Sequence, residues 1–401
     1  MSNTFWNSFS IILNVLFDDQ TNVDQSANDN EELRIAYKTG NIAVVDRLLQ
    51  DCRVDPSAYN NDAICVSSEN GHVDVVNRLL QDSRVDPSAV NNYAIRQASL
   101  YGHADVVDRL LQDLRVDPSA DNNEAIHWAS RYGHIAVVDR LLQDLRVNPS
   151  ANDNDAICMA SENGHVDIVD RLLQDLRVDP STNDNYAICY ASKNGNIAVV
   201  DRLLQDERVD PSADNNYAIK LASQHGHVAV VDRLLQDGTG SGTRVNPSVG
   251  NNLVFRWASS NGHVAVVDRL LQDVRVNPSA YKNEAIRYAS SNGHVAVVDR
   301  LLQDERVDPS ANDNYAIQRA SRNGHAAVVD RLLQDCRVNS SVNYNKLIQR
   351  AASHNHNAIV EKLLHYERTY KPVIHTSNQF YIVTGCCVCI LISSIIRYSL
   401  K

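Results

Sequence analysis

Nine histidines recur at one place in a repeating pattern: His72, His103, His134, His165, His227, His263, His294, His325 and His356, each directly after a glycine or, at the last, Asn355. Imidazole binds metals and moves protons near neutral pH, so such a ladder invites a metal or acid–base reading. The spacing opposes it. Successive rings belong to successive copies of one unit, and stacked helical units stand on the order of 10 Å apart. A shared ion would need every ligand at about 2 Å. The rings are therefore read as structural turn residues. The eight cysteines make no disulfide framework in a chain this long, and those of neighbouring copies (Cys158, Cys189) are spaced beyond disulfide reach, which points to a reducing, cytosolic setting. A catalytic set would break the pattern at one point and converge there, and no nucleophile, base and orienting group do so. No catalytic residue, metal or cofactor is expected.

The histidines belong to a block that reads N-x-A-I-x-x-A-S-x-x-G-H-x-x-V-V-D-R-L-L-Q-D-x-R-V-D-P-S. Its glycine falls at 40, 71, 102, 133, 164, 195 and 226, then at 262, 293 and 324, a period of 31 broken once. A fixed period near 30 makes the chain a stack of one small unit rather than a set of globular domains. In the copy that begins at Asn91, Asn91-Asn92 supply residues that tolerate left-handed backbone and cap helices. Ala94, Ile95, Ala98 and Ser99 follow at helical spacing as a stripe of small residues that lets a neighbour approach closely. Gly102-His103 ends this first helix. Val106, Val107, Leu110 and Leu111 form the apolar face of a second, with Asp105, Asp108, Arg109 and Gln112 opposite. Asp117-Pro118-Ser119 is turn chemistry. Neither helix is long enough to be stable alone, so burial must come from the adjoining copies.

This unit resembles the ankyrin repeat. The family's A-A-x-x-G-H-x-x-V-V-x-x-L-L core is matched by Ala98-Ser99-Leu100-Tyr101-Gly102-His103, then Val106-Val107 and Leu110-Leu111, and the match extends over roughly residues 28–364. The resemblance implies an all-α solenoid of about ten helix–turn–helix repeats that binds proteins through its inner helices and adjoining loops. Two departures stand out. Tyr93-Ala94-Ile95-Arg96 replaces the family's T-P-L-H, removing its Thr–His hydrogen bonding. The unit is also about two residues shorter than the family's 33, which predicts that the projecting β-hairpin is reduced to a turn.

The ends differ from the array. Residues 1–20, with Trp6, Phe9, Leu13 and Leu16 on one helical face, read as an N-terminal capping helix, and the array occupies 21–364. Gly238 to Thr243 form a flexible insertion at 238–243. A polar linker is expected at 365–379, followed by seventeen residues without a charge, 380–396. As a helix that run would span about 25 Å, the short end of membrane-crossing length. It is read as a C-terminal transmembrane anchor that leaves the repeats in the cytosol, with a buried solenoid cap as the alternative. Flanking basic residues on both sides leave its orientation open.

What the copies hold fixed is scaffold, and what they vary is where specificity can sit. The varying slots of the first helices form an expected concave strip of Tyr93, Arg96, Tyr101, Trp128, Tyr132, Tyr186, Tyr190, Tyr217, Arg256, Trp257, Arg287, Tyr288, Tyr315 and Arg319. Aromatic and arginine side chains are the composition of protein-binding hot spots. Packing between repeats would explain the same residues. A net charge of −11 argues against nucleic acid as the partner. The expected function is a monomeric, non-catalytic scaffold or adaptor for protein partners. A soluble adaptor without an anchor and a spacer array without a dedicated partner are the alternatives.

Overall fold

The computed structural model describes residues 25–237 and 245–370. The capping helix expected at 1–20, the insertion at 238–243 and the tail at 380–396 lie outside the described residues. Within them the chain forms 23 helices and no strand, Gln25–Thr39 first and Asn357–Tyr370 last. It divides into two compact units, one ending at Ala151 and the other beginning at Asn152.

In the first unit the copies are helix pairs such as Ala89–Leu100 with Ala104–Leu111 and Ala120–Tyr132 with Ile135–Gln143. First helices pack on first helices and second helices on second helices of the next copy. The expected stripe is the core: Ala94, Ile95, Ala98, Val107 and Leu110 have no exposed surface. Burying such side chains contributes roughly 1.5–3 kcal/mol for each Val, Leu or Ile, and it comes from contacts between copies.

The connection between copies is the clearest departure from a regular helix pair. Val90, Asn91 and Asn92 all lie in left-handed backbone at φ 53, 57 and 57°, and the right-handed helix begins only at Tyr93. The same triplet recurs at 59–61 and 121–123. Left-handed backbone costs roughly 1–2 kcal/mol per ordinary L-residue and least for Asn and Asp, which explains their density here. The last residue of the triplet is buried, and its side chain reaches forward rather than capping its own helix. Asn92 Oδ1 accepts the backbone N–H of Asp117 at 2.7 Å, as Asn61 does for Asp86 and Asn123 for Asn148. Asp117 Oδ1 in turn accepts the N–H and hydroxyl of Ser119. The expected turn in place of a hairpin is thus a left-handed turn pinned to the following copy.

The second unit repeats this architecture. Left-handed triplets occur at 152–154, 183–185, 214–216, 250–252, 281–283 and 312–314. Phe255 fills the isoleucine slot without exposed surface. Burial pushes the Cys158 and Cys189 thiols up to about 12, so both are protonated at neutral pH. The last pair, Tyr344–Ser353 and Asn357–Tyr370, starts differently: Asn343 caps it by accepting the Lys346 N–H at 3.1 Å. The final helix runs past Leu364, where the repeat pattern stops, so residues 365–370 are helical. No helix among the described residues is long and apolar enough to cross a membrane.

Candidate partner-binding strip

Three ladders occupy the recurring polar residues. In the first, the ring of the glycine–histidine turn bonds the preceding copy of the same unit. Nε2 of His103 lies 2.9 Å from the Glu69 carbonyl, and Nε2 of His294 lies 2.8 Å from that of Ser260. A carbonyl only accepts, so Nε2 carries the proton. The ring rests on the preceding glycine: a Cβ added at Gly71, itself at φ +77°, would lie 2.5 Å from His103 Nδ1. Asn196, which like Asn41 stands where the other turns have histidine, donates from Nδ2 to the Glu162 carbonyl instead. The structural reading of the histidines follows from these bonds.

The second ladder joins second helices. Aspartate and arginine are adjacent in sequence yet pair between copies: Arg78 with Asp46 at 2.9 Å, Arg202 with Asp170 and Arg233 with Asp201 both at 2.6 Å. The third lies in the loops. Arg84 grips Asp82 with two nitrogens and donates from a third to the Val54 carbonyl of the preceding copy at 2.7 Å. Arg115 and Arg208 repeat the arrangement. The Arg84 guanidinium holds the Asp82 carboxyl below its usual range.

With the recurring residues engaged in stacking, the varying ones line the first helices. In the first unit Tyr101 and Tyr132 are exposed, by 45% and 51%, while Tyr93 and Trp128 are half-buried. Trp128 stacks on Tyr132 at 6.0 Å, with the Arg131 guanidinium 5.8 Å from the indole. Arg96 is ion-paired to Asp121 at 3.0 Å and to Glu124, and lies against Tyr93.

In the second unit Tyr186 and Tyr190 stack at 3.8 Å, with Lys193 over Tyr190. Tyr217 carries Lys220. Arg256 pairs with Glu284 and covers Tyr281, and Trp257 is half-buried beside it in sequence. Arg287 and Arg319 both approach the Tyr315 ring, at 5.2 and 4.8 Å, and Tyr288 is exposed by 42%. Every predicted strip residue therefore lies on a first helix or, for Tyr101, at its C-terminal cap, and none is fully buried.

Two features escaped the sequence reading. The carboxylates that neutralise Arg96 and Arg256 come from the next copy, at a constant offset (Glu124, Glu284), and aligning the copies by that offset would have found them. Residues Gln318, Arg322, Arg350 and His354 join Tyr315 and Arg319 around a cleft of about 360 Å³. They come from two successive first helices, and the degenerate last copy hid that relation.

A family model described as ankyrin repeats (3 copies) matches in overlapping stretches, residues 66–153, 93–184, 157–248, 221–313 and 286–374. No curated protein matches the chain. Since the family model covers well over half of its residues, the chain belongs to the ankyrin-repeat family.

Proposed function

We propose that the chain is a non-catalytic scaffold that recognises a protein partner through the first-helix strip. The division of labour among its residues carries this reading. The recurring Asn, His, Asp and Arg bond adjoining copies, whereas the varying slots present half-open Trp, Tyr and Arg. Large aromatic side chains with one face packed and one face open give contact area at low entropic cost. Replacing Trp128 or Trp257 by Ala should leave far-ultraviolet helicity intact and abolish capture of the partner that wild-type chain enriches in quantitative cross-linking. If both variants lose their helicity, these side chains are packing and the reading fails.

The charge-free run 380–396 supports attachment of this scaffold to a membrane. In alkaline carbonate extraction, the full chain should stay in the membrane pellet and a chain ending at Thr376 should not. Release of both would make the tail a cap on the stack.

A further inference from the structure

At the first two arginines of the strip neighbouring carboxylates neutralise the charge, Asp121 and Glu124 at Arg96 and Glu284 at Arg256. The cleft near the end of the second unit breaks this rule. Arg319, Arg322 and Arg350 line it together, and none has a carboxylate within ion-pair distance among the described residues. Their contacts are neutral: Arg319 lies on the Tyr315 ring, Arg322 Nε is 3.3 Å from His354 Nε2, and Arg350 bonds the Gln318 amide. The Asp313 carboxylate, which reaches Gln318 at 3.4 Å, is itself ion-paired to Lys346 at 3.3 Å. Arg287 adds a fourth cation on the Tyr315 ring, and its Nε is buried without a partner. By contrast, the comparable cleft in the first unit sets Asp62 and Glu69 among its own Arg34 and Lys38.

We propose that this cleft binds a phosphorylated side chain of the protein partner. The inference rests on the protein-recognition reading and adds the chemistry of one contact. Unneutralised guanidiniums gathered in a half-buried cleft repel one another, and an anion with several acceptor oxygens relieves that repulsion. Planar guanidinium forks match phosphate oxygens in pairs, and a phosphate monoester brings nearly two charges where a carboxylate brings one. The volume lies at the small end of ligand clefts, suited to one side chain. An extended polyanion fits poorly, because Arg256 farther along the strip is already paired with Glu284 and the chain carries a net charge of −11.

The test is isothermal titration of the full chain with the peptide Ala-Gly-X-Gly-Ala, where X is phosphoserine, serine or glutamate, and with inorganic phosphate. The phosphoserine peptide should bind at least about tenfold tighter than the serine peptide, and at least about tenfold weaker to R319Q/R350Q. Arg109→Gln, on a second helix of the first unit, should leave its affinity unchanged. Should the double variant melt early, R322Q, whose side chain is exposed and bonds His354, should still weaken binding severalfold.

Equal affinity for the serine peptide, no loss in either variant, or no binding at about 1 mM peptide would overturn the proposal. Equal affinity for the glutamate peptide would make it a carboxylate site, and equal affinity for inorganic phosphate a free-anion site, each contradicting it. Failure here alongside loss of partner capture in Trp128→Ala would leave protein recognition standing without the phosphate contact.

Discussion

At the scale of single residues, the block contains one polar group that the fold leaves unsatisfied. Ser99 is fully buried, and its hydroxyl meets no hydrogen-bond partner; the equivalent Ser68, Ser130, Ser161, Ser192, Ser223, Ser259, Ser290 and Ser321 are the same. Neighbouring Ser67, by contrast, donates to the Ala63 carbonyl at 2.7 Å. An unsatisfied buried hydroxyl costs about 1–3 kcal/mol, and alanine is the better helix former. Ser99→Ala should therefore raise the unfolding free energy measured by denaturant titration by about 1 kcal/mol. A loss of that size would mean that the hydroxyl holds a bond. The sequence showed Ser99 to be on the packed stripe, but it could not show the orphaned hydroxyl, because satisfaction depends on what the next copy places opposite. Asn92 shows the same limit. Its tolerance of left-handed backbone was legible from its type, whereas its bond to Asp117 depends on how one copy docks on the next.

At the scale of elements, the helices followed from periodicity, and the loops did not. Val106, Val107 and Leu110 are core as their spacing predicts. Asp108, which shares the polar face of its helix with Arg109, pairs instead with Arg140 of the next copy at 3.4 Å. Adjacent helix residues diverge by about 100°, so sequence neighbours cannot meet as a pair. The loops also fix an acid response. Arginine two residues on lowers the carboxyls of Asp82, Asp113, Asp144, Asp175, Asp206, Asp273 and Asp304 from 3.8. A carboxyl lowered in the folded state contributes stability above its unfolded value, and that contribution is lost as pH falls through the folded value. Melting temperature should hold steady above about pH 5 and fall progressively below about pH 4, over a range broadened by the many equivalent groups. A melting temperature unchanged down to about pH 2.5 would show that the loop clamps contribute no net stability.

At the scale of the whole molecule, each copy within a unit is held chiefly by the copies beside it in that unit, and the same chemistry is reused from one such junction to the next. The polar ladders belong to the junctions, and the strip belongs to the surface they hold in place. The ankyrin-repeat assignment was legible because the Gly-His turn and the Val-Val, Leu-Leu spacing recur without drift. The arginine cleft was not, since it forms where the last copies depart from that regularity.

The helix Ala120–Tyr132 carries both roles: buried Asn123 accepts the Asn148 N–H at 2.6 Å, and Tyr132 is exposed by 51%. The most direct test is the equilibrium denaturant midpoint of Asn123→Ala beside that of Tyr132→Ala. Asn123→Ala leaves a backbone donor unpaired and puts alanine in left-handed backbone, and should cost about 2–3 kcal/mol. Tyr132→Ala should cost about 0.5 kcal/mol or less. Equal losses, or a larger loss at Tyr132, would contradict the separation of stacking ladder from recognition strip.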